Sequence, residues 1–439
     1  MIAPGLVLAA PSSGSGKTTL ALGLARHLRD AGLRVACAKS GPDYIDPAFH
    51  AAASGRPCVN LDRWAMGDAS LAGLIGGMAD ADFALCEGAM GLYDGVGADG
   101  EGSTAALARF AGWPVVLVVD ARGMAASAGP LAAGFARALE APAVAGVVFN
   151  RIGAPSHAAL LRDALKRHAP ELAFFGAIPR DADLVHPERH LGLVQARERA
   201  DLDAFVDRAA KMVGAHVDVA AIRAAARPSP RNAATCARVP PLGARIALAR
   251  DDAYAFVYAH LIDAWRREGA EILPFAPLEG QMPDAMADAV YLPGGYPELH
   301  AGKLAAAPFL GALRAMAARG VRIFGECGGY MTLGEGLIDA DGARHAMAGL
   351  LALETSFAAR KLHLGYRRAK LIDDHALGVR GTGFAAHEFH YTRVLREGPG
   401  EPLFETTDAR GVSLGRAGLR AGTVAGSFIH LIDFDSTRQ

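Results

Sequence analysis

Short apolar runs alternate with segments of helical periodicity through the first half of the chain. The apolar runs are residues 6–10, 33–38, 83–86, 115–119 and 144–149. Uninterrupted apolar strands are typical of a parallel sheet covered on both faces, and the segments between these runs are long enough to hold crossover helices. The pattern therefore predicts an α/β domain built around a parallel sheet.

This regular pattern stops near residue 226 and resumes near residue 244. The segment 227–243 contains four prolines and little periodicity, so we interpret it as a linker. Beyond it we predict a helix at 254–268 and strands at 245–249, 271–275, 290–293 and 321–325. The chain has 439 residues, too many for one ordinary core, and we predict two α/β domains, 1–226 and 244–439.

Composition and charge exclude several classes of protein. The chain carries 45 Lys and Arg against 46 Asp and Glu, which leaves no basic surplus to attract nucleic acid or an anionic membrane. The five cysteines form no C-x-x-C pair, which argues for a reducing compartment and against a zinc ribbon or a disulfide framework. Because we recognise no signal peptide and no apolar run of about 18–20 residues, we expect a cytoplasmic protein without a membrane span or a nucleic-acid partner.

The stretch APSSGSGKTTL, residues 10–20, lies between a predicted strand and a predicted helix. Its end matches the phosphate loop G-x-x-x-x-G-K-[ST], although Pro11 stands where the first glycine is expected. In such a loop Lys17 contacts the β- and γ-phosphates and Thr18 contacts Mg²⁺. The alternative is a glycine-rich turn that only caps the helix, but such a turn would not require this order of residues. Asn150 and Arg151, at the end of a later strand, could contact an adenine edge, although Asn150 could equally well form a turn. The predicted nucleotide-binding residues of the loop are Gly14, Ser15, Gly16, Lys17, Thr18 and Thr19.

Charged residues follow the second and third predicted strands. Glu87 ends the third strand, the position of a carboxylate that holds Mg²⁺, and Lys39 is a second candidate phosphate contact. Asp43, Asp46 and Asp94 lie in the loops beyond these strands. Each acid alone would more often cap a helix or form a turn, but several acids at successive strand ends beside a phosphate loop favour a metal and substrate site.

The stretch GECGG, residues 325–329, follows a predicted strand in the second domain and precedes a helix. It has the form of a nucleophile elbow with Cys327 at its tip, and we expect the helix N-terminus to lower the pKa of the thiol. We also expect the flanking glycines to serve this turn and to have no packing role. A glycine pair at 294–295 could donate a backbone N–H to an oxyanion, and His430 is the candidate base. We interpret the other cysteines as small buried hydrophobes, as most free cysteines are: Cys37, Cys58, Cys86 and Cys236.

These motifs resemble, in this order, those of the cobyrinate and hydrogenobyrinate a,c-diamide synthases. The shared stretches are APSSGSGKTT, GPDYIDP, EGAMGLYDG, LPGGYPEL, GECGGYM, HEFHY and SFIHL. The resemblance covers essentially the whole chain. It implies an N-terminal P-loop domain like dethiobiotin synthetase joined to a C-terminal class I glutamine amidotransferase domain. The implied reaction, in cobalamin biosynthesis, is amidation of the a and c acetate side chains of a corrin ring, with ATP, Mg²⁺ and nitrogen from glutamine.

The resemblance also implies roles for particular residues. The glutamine-hydrolysing set is the nucleophile Cys327, its partner His430, and the oxyanion and glutamine-binding residues Gly294, Gly295 and Tyr296. The metal set is Thr18, Asp43 and Glu87. The substrate set is Asp43, Tyr44, Asp46 and Asp94. Amidotransferases with a full triad carry Glu two residues after the histidine, where this chain has Ile432, so the resemblance implies a Cys–His dyad.

Other functions share parts of this pattern. A related ligase acting on cobyric acid or on a nickel-sirohydrochlorin would have the same two centres, although GPDYIDP and GLYDG favour the a,c-diamide group. A P-loop ATPase with a non-catalytic amidotransferase-like domain would be expected to lose the cysteine or the histidine. His387 and His390 could bind zinc, but we identify no acidic or thiol partner and favour a strand that contacts a ligand or an interface. We expect a homodimer, and a shielded path for ammonia.

Overall fold

The computed structural model describes residues 2–139, 141–184, 188–189, 192–193, 195–231 and 239–435. The chain divides into two compact units, the first made of Met1–Trp64 and Asp68–Cys236, the second of Ala65–Gly67 and Ala237–Gln439. Residues 232–238 of the predicted linker lie outside the described residues, and so does Cys236. The other three cysteines predicted to be buried are buried and unpaired: Cys37, Cys58 and Cys86.

The first unit is a parallel sheet with helices on its faces. Its strands are β1 (Pro4–Ala9), β2 (Val35–Ser40), β3 (Val59–Leu61), β4 (Phe83–Glu87), β5 (Val115–Asp120), β6 (Val144–Ile152), β7 (Ala173–Pro179), β8 (Glu188–Arg189), β9 (Gly192–Leu193) and β10 (Arg227–Pro228). Its helices are α1 (Lys17–Asp30), α2 (Asp46–Ser54), α3 (Asp68–Gly76), α4 (Thr104–Ala111), α5 (Ala128–Ala138), α6 (Pro155–His168), α7 (Leu202–His216) and α8 (Val219–Ala225).

The strand order of this sheet is β3-β2-β4-β1-β5-β6-β7, and each of these pairs is parallel. β10 adds an antiparallel pair at the start of β1. Every residue of β2 and β4 is buried, which explains why their sequences are apolar without alternation. The parallel α/β sheet predicted from the sequence is therefore confirmed. Its strands end at the edge where a doubly wound sheet binds its ligands.

The second unit combines parallel and antiparallel strands. Its strands are β11 (Arg245–Ala249), β12 (Glu271–Phe275), β13 (Ala289–Leu292), β14 (Arg322–Glu326), β15 (Gly336–Ile338), β16 (Arg344–Ala346), β17 (Leu353–Ser356), β18 (His363–Leu371), β19 (Gly383–His390), β20 (Arg393–Glu397), β21 (Glu401–Asp408), β22 (Ser413–Ala421), β23 (Val424–Ser427) and β24 (Ile429–Phe434). Its helices are α9 (Ala259–Arg267), α10 (Ala301–Ala306), α11 (Phe309–Ala318) and α12 (Gly328–Leu333).

The main sheet of this unit has the order β12-β11-β13-β14-β23-β22-β21-β18-β19-β24. The pairs from β12 to β23 are parallel, and the pairs from β23 to β24 are antiparallel. The helix predicted at 254–268 begins only at Ala259, because Phe256 instead donates its backbone N–H to the Gly294 carbonyl at 2.9 Å. The antiparallel half was not predicted from the sequence, apart from the strand that contains HEFHY.

Candidate active sites

The phosphate loop joins β1 to α1, and its backbone has the shape that its glycines permit. Gly14 and Gly16 have φ angles of 75° and 90°, in the left-handed region that favours glycine. A Cβ on Gly16 would lie 2.1 Å from Nδ2 of Asn150. Asn150 also donates a hydrogen bond to the Ser15 carbonyl at 2.9 Å, so its side chain braces the loop. Contact between Asn150 and an adenine edge stays a prediction.

Lys17 begins α1 and turns its amine back over the loop. Nζ donates to the Met90 carbonyl at 2.7 Å and to the Ser12 carbonyl at 3.4 Å. Burial lowers the pKa of Lys17, although the Glu87 carboxylate partly offsets that effect. Because neutral carbonyls are weaker partners for an ammonium group than phosphate oxygens are, a bound triphosphate would take over this amine.

Glu87, at the end of β4, is the centre of a buried charge cluster. Its Oε1 accepts from the Thr18 hydroxyl at 2.6 Å and lies 3.0 Å from Nζ of Lys39, while its Oε2 lies 2.6 Å from Nε2 of His50. Burial alone would raise the pKa of Glu87, but the charges of Lys39 and His50 outweigh it and hold the pKa well below its usual range. The cluster therefore contains an ionised carboxylate with two cationic neighbours.

His50 was missed by the sequence analysis. It lies on α2, fully inside the unit, four residues beyond Asp46. Burial opposes its charge, but the Cys37 sulfur and the Glu87 carboxylate raise the pKa of His50 to about 10. The available signal was the position of His50 on the buried face of the helix that follows GPDYIDP.

Replacing His50 by glutamine is expected to reduce the free energy of unfolding by about 1.5–3 kcal/mol at neutral pH, because a hydrogen bond to a buried charge is lost. The folded-state pKa of about 10 lies above the ordinary value of 6.5, so this stabilisation is complete below pH 6.5 and disappears as the pH rises to about 10. Urea denaturation at pH 6 and pH 9.5 measures the difference. Equal deficits at both pH values would contradict the assignment, and exposed His168→Gln is the control.

The acids of GPDYIDP have local roles in the structure. Asp43 Oδ1 accepts from the backbone N–H groups of Ile45 at 2.8 Å and Asp46 at 3.1 Å, and its Oδ2 lies 3.8 Å from Nζ of Lys39. Asp46 accepts from Lys39 at 2.5 Å. Burial and the nearby Asp46 charge raise the pKa of Asp43 to about 6. Tyr44 is partly buried beside them. Their contacts with a substrate carboxylate stay predictions.

Two further predicted residues make hydrogen bonds with the backbone. Asp94 Oδ2 accepts the backbone N–H of Gly91 at 2.8 Å, and the Thr19 hydroxyl donates to the Leu184 carbonyl at 3.4 Å. A second residue also braces the phosphate loop, a role that was not predicted for it from the sequence. Arg151, at the end of β6, donates to the Gly14 carbonyl and to Asp120, both at 2.6 Å. Because Asp120 ends β5, the rule that ligand-binding groups follow parallel strands would have identified this pair.

The residues predicted to hold Mg²⁺ can be tested by their donor chemistry. The Thr18 hydroxyl and the Glu87 carboxylate are hard oxygen donors 2.6 Å apart, the ligand type that Mg²⁺ prefers. Asp43 lies 3.8 Å from Nζ of Lys39, which itself lies 3.0 Å from Glu87. Thr18 and Glu87 therefore fit the ion, and metal ligation by Asp43 stays a prediction.

Cys327 sits at the tip of the turn between β14 and α12. Its φ of 48° and ψ of −103° place it in a strained conformation, as a nucleophile elbow requires. The prediction that the neighbouring glycines have no packing role is wrong. A Cβ on Gly329 would lie 1.9 Å from the Leu292 carbonyl oxygen, and one on Gly328 would lie 2.9 Å from Cδ of Pro297. The glycines therefore allow both the turn and the close packing of α12 on β13.

Cys327 and His430 meet across Gly294. A Cβ on this glycine would lie 2.4 Å from Cε1 of His430 and 3.3 Å from Cβ of Cys327, so both side chains pack on the same backbone atom. The Cys327 thiol donates to the Phe389 carbonyl at 3.5 Å. The structure therefore brings together the predicted nucleophile, the predicted base and the predicted glycine turn.

The expected lowering of the thiol pKa is not found. Burial raises the pKa of Cys327 well above its usual range, and the Glu298 charge adds to this, although the Gly328 backbone N–H has the opposite effect. Burial also lowers the pKa of His430 to about 3. Both groups are therefore neutral before the reaction, and the thiol proton has to move during the chemical step.

Position 432 holds no acid, but an acid from another strand lies beside His430. Glu326 ends β14, and its Oε2 lies 3.9 Å from Nδ1 of His430. The same carboxyl group accepts from the Tyr291 hydroxyl at 2.7 Å and from the Leu431 backbone N–H at 3.1 Å. Burial raises the pKa of Glu326 to about 7. Sequence spacing gave no signal for this pair, because the two residues are more than a hundred positions apart.

The HEFHY strand differs from its prediction. The statement that no acidic partner lies near its histidines is wrong, because Glu388 Oε1 lies 2.9 Å from Nε2 of His390. Together with His363, these two residues form a potential ligand group whose donor atoms lie within 4.8 Å of one another. His387 is not part of the group. Glu388 also accepts from Arg367 at 2.7 Å, and we assign no metal here.

The two units define the class of protein. The first is a nucleotide-binding P-loop domain, and a family model for the CobQ/CobB/MinD/ParA nucleotide binding domain matches residues 6–194. The second is a glutamine amidotransferase, and a model for the CobB/CobQ-like glutamine amidotransferase domain matches residues 245–438. A protein that joins these domains is a glutamine-dependent amidating ligase. Among the described residues, every helix is too short or too polar to cross a bilayer.

Curated relatives identify the family. The chain is 54% identical to the hydrogenobyrinate a,c-diamide synthase of Rhizobium meliloti over 98% of its own length and 99% of the relative's. It is 53% identical to the Rhodobacter capsulatus enzyme of the same name and 51% identical to that of Brucella anthropi, each over 98% of both chains. The chain belongs to the hydrogenobyrinate a,c-diamide synthase family.

Proposed function

We propose that this protein converts the a and c acetate carboxylates of hydrogenobyrinic acid, or of its cobalt-containing counterpart cobyrinic acid, into amides. Similarity over 98% of the chain to relatives named for this reaction carries the proposal. The same relatives favour this reaction over amidation of cobyric acid or nickel-sirohydrochlorin. Cys327 and His430, whose side chains both pack on Gly294, supply the chemistry that a non-catalytic domain would lack. We place the reaction in the cytoplasm, where ATP and reduced thiols are available; a homodimer stays a prediction.

The first unit activates the acid. A carboxylate is a poor electrophile, so one of its oxygens attacks the γ-phosphorus of ATP and ADP leaves, which gives an acyl phosphate. Lys17 and Lys39 neutralise charge on the transferred group. Thr18 and Glu87 would hold Mg²⁺, which when bound neutralises charge on the β- and γ-phosphates. Ammonia then attacks the acyl carbon and inorganic phosphate leaves.

The second unit supplies the ammonia. The sulfur of Cys327 attacks the side-chain amide carbon of glutamine while His430 takes the thiol proton, and His430 returns this proton to the departing nitrogen. Backbone N–H groups near Gly295 are the predicted donors to the oxyanion. Water, deprotonated by His430, then cleaves the thioester and releases glutamate. Neutral starting groups suit this sequence, because His430 gains a proton only as the sulfur forms its bond.

Glu326→Gln is expected to reduce kcat for glutamine hydrolysis about 100-fold with little change in KM, since an acid beside Nδ1 orients His430 and stabilises its protonated form. A merely structural role would not separate kcat from KM in this way. Ammonia release, followed over a range of glutamine concentrations, gives both constants. Glu326→Asp should recover part of kcat, and Glu335→Gln, whose side chain is 40% exposed, is the control. An unchanged kcat would remove Glu326 from the mechanism.

Mass spectrometry of the product tests the proposed function. The full chain is incubated with ATP, Mg²⁺, glutamine and either metal-free hydrogenobyrinic acid or cobalt-containing cobyrinic acid. The expected product has gained two amides, and a comparison of the two rings identifies the substrate. If neither ring acid is amidated under conditions where cobyric acid or a nickel-sirohydrochlorin is, the proposed substrate is wrong.

A further inference from the structure

A buried carboxylate lines the pocket of the predicted nucleophile. Glu298 lies on the 3-10 turn Pro297–His300, directly after the Gly294–Gly295 pair, and 8% of the residue is exposed. It lines one small pocket together with Cys327, Tyr296 and Phe389. After burial, the charge of Glu298 is the main cause of the raised pKa of the Cys327 thiol.

This carboxylate is incompletely satisfied. Oε2 of Glu298 accepts no hydrogen bond from the part of the chain that the structure describes. Arg360 acts on the carboxylate only through its charge, and burial still raises the pKa of Glu298 to about 8. Burial therefore favours the protonated form of Glu298, and a cationic ligand that donates to Oε2 would stabilise the carboxylate.

The chemistry of the reaction limits what that ligand can be. The other walls of the pocket are mainly aromatic, from Phe256, Phe357 and Tyr391, and the imidazole of His390 also lines it. His390 already pairs with Glu388 at 2.9 Å, so it is not a partner for Glu298. Glutamine brings its side-chain amide to Cys327 and carries one cation, the α-ammonium group. An ammonium group donates up to three hydrogen bonds and forms short, strong ones with a carboxylate.

We propose that Glu298 binds the α-ammonium group of glutamine and thereby selects this amino acid as the nitrogen donor. The inference rests on the proposed glutaminase role of Cys327 and deepens it. The apolar walls hold the aliphatic part of the substrate, while Glu298 fixes its far end, so that the amide carbon stays beside the sulfur. Amides without an α-ammonium group lose this contact.

A pair of substrates tests the proposal. Glutaramate is glutamine without the α-amino group, and hydrolysis of both compounds is followed in wild type and Glu298→Gln. The substitution is expected to lower kcat/KM for glutamine about 10–100-fold, mainly through KM, because a charged hydrogen bond is lost. The value for glutaramate should change less than about threefold, since that compound never made the contact. Exposed Glu279→Gln is the matched control.

Two results would overturn the proposal. An equal loss for both substrates would make Glu298 a structural residue, and an unchanged KM for glutamine would show that it makes no contact. If wild type does not hydrolyse glutaramate, the concentrations of each compound that protect Cys327 from iodoacetamide replace the kinetic constants. Cys327→Ala is assayed in parallel. Glutamate formation by that variant would refute the proposed glutaminase itself. If the variant forms no glutamate, a negative result with Glu298→Gln refutes only the proposed role of Glu298. As a control for folding, Glu298→Gln should amidate the ring acid at the wild-type rate when ammonium chloride replaces glutamine.

Discussion

Cys327→Ala is expected to abolish amidation with glutamine, by about 10⁴-fold or more, and to leave amidation with ammonium chloride within about threefold of wild type. In the proposed mechanism the sulfur forms the thioester, and the other described thiols, Cys37, Cys58 and Cys86, belong to the first unit. Free ammonia would bypass this step, because the proposed acyl phosphate forms in the first unit. The variant therefore separates the release of ammonia from glutamine from the use of ammonia in amidation.

Glutamate release and amide formation are measured separately for this variant. Cys58→Ala is the control, because Cys58 is also buried but lies in the first unit. If Cys327→Ala forms glutamate at the wild-type rate, the second unit uses another nucleophile. If it loses amidation with ammonium chloride as well, the substitution has damaged more than the glutaminase.

Lys17→Ala should lower ATP-dependent amidation about 10³-fold with either nitrogen source. Its amine is held over the phosphate loop by two carbonyl oxygens and is 6% exposed, so no solvent cation replaces it easily. In the proposed phosphoryl transfer, the group that moves would then develop negative charge without the ammonium group of Lys17 to neutralise it. ADP release in the presence of the ring acid measures this step.

The complementary readout for Lys17→Ala is hydrolysis of glutamine. Basal glutamate formation should persist within a few-fold, since Cys327 and His430 belong to the second unit. Lys166→Ala, an exposed lysine on α6, should behave as wild type in both assays. Wild-type rates of ADP release in Lys17→Ala would show that the loop does not bind the reacting nucleotide in the way proposed.

The sequence alone determined the parallel strands, the phosphate loop and the nucleophile elbow. Each depends on residues that are neighbours in the chain. An apolar run predicts a buried strand, and glycines at fixed spacing allow the left-handed turns of the loop at Gly14 and Gly16. The strained backbone at Cys327 follows from the same local logic, with a strand before it and a helix after it.

Only the tertiary structure decided which distant groups share a site and how burial changes them. His50 faces Glu87, Glu326 lies beside His430, and Glu298 lines the same pocket as Cys327. These pairs depend on how strands and helices pack, and local spacing does not encode that arrangement. The thiol shows the consequence: a helix N-terminus predicted a lowered pKa, but desolvation by the surrounding core raised it, because in a buried site the loss of water outweighs one backbone dipole.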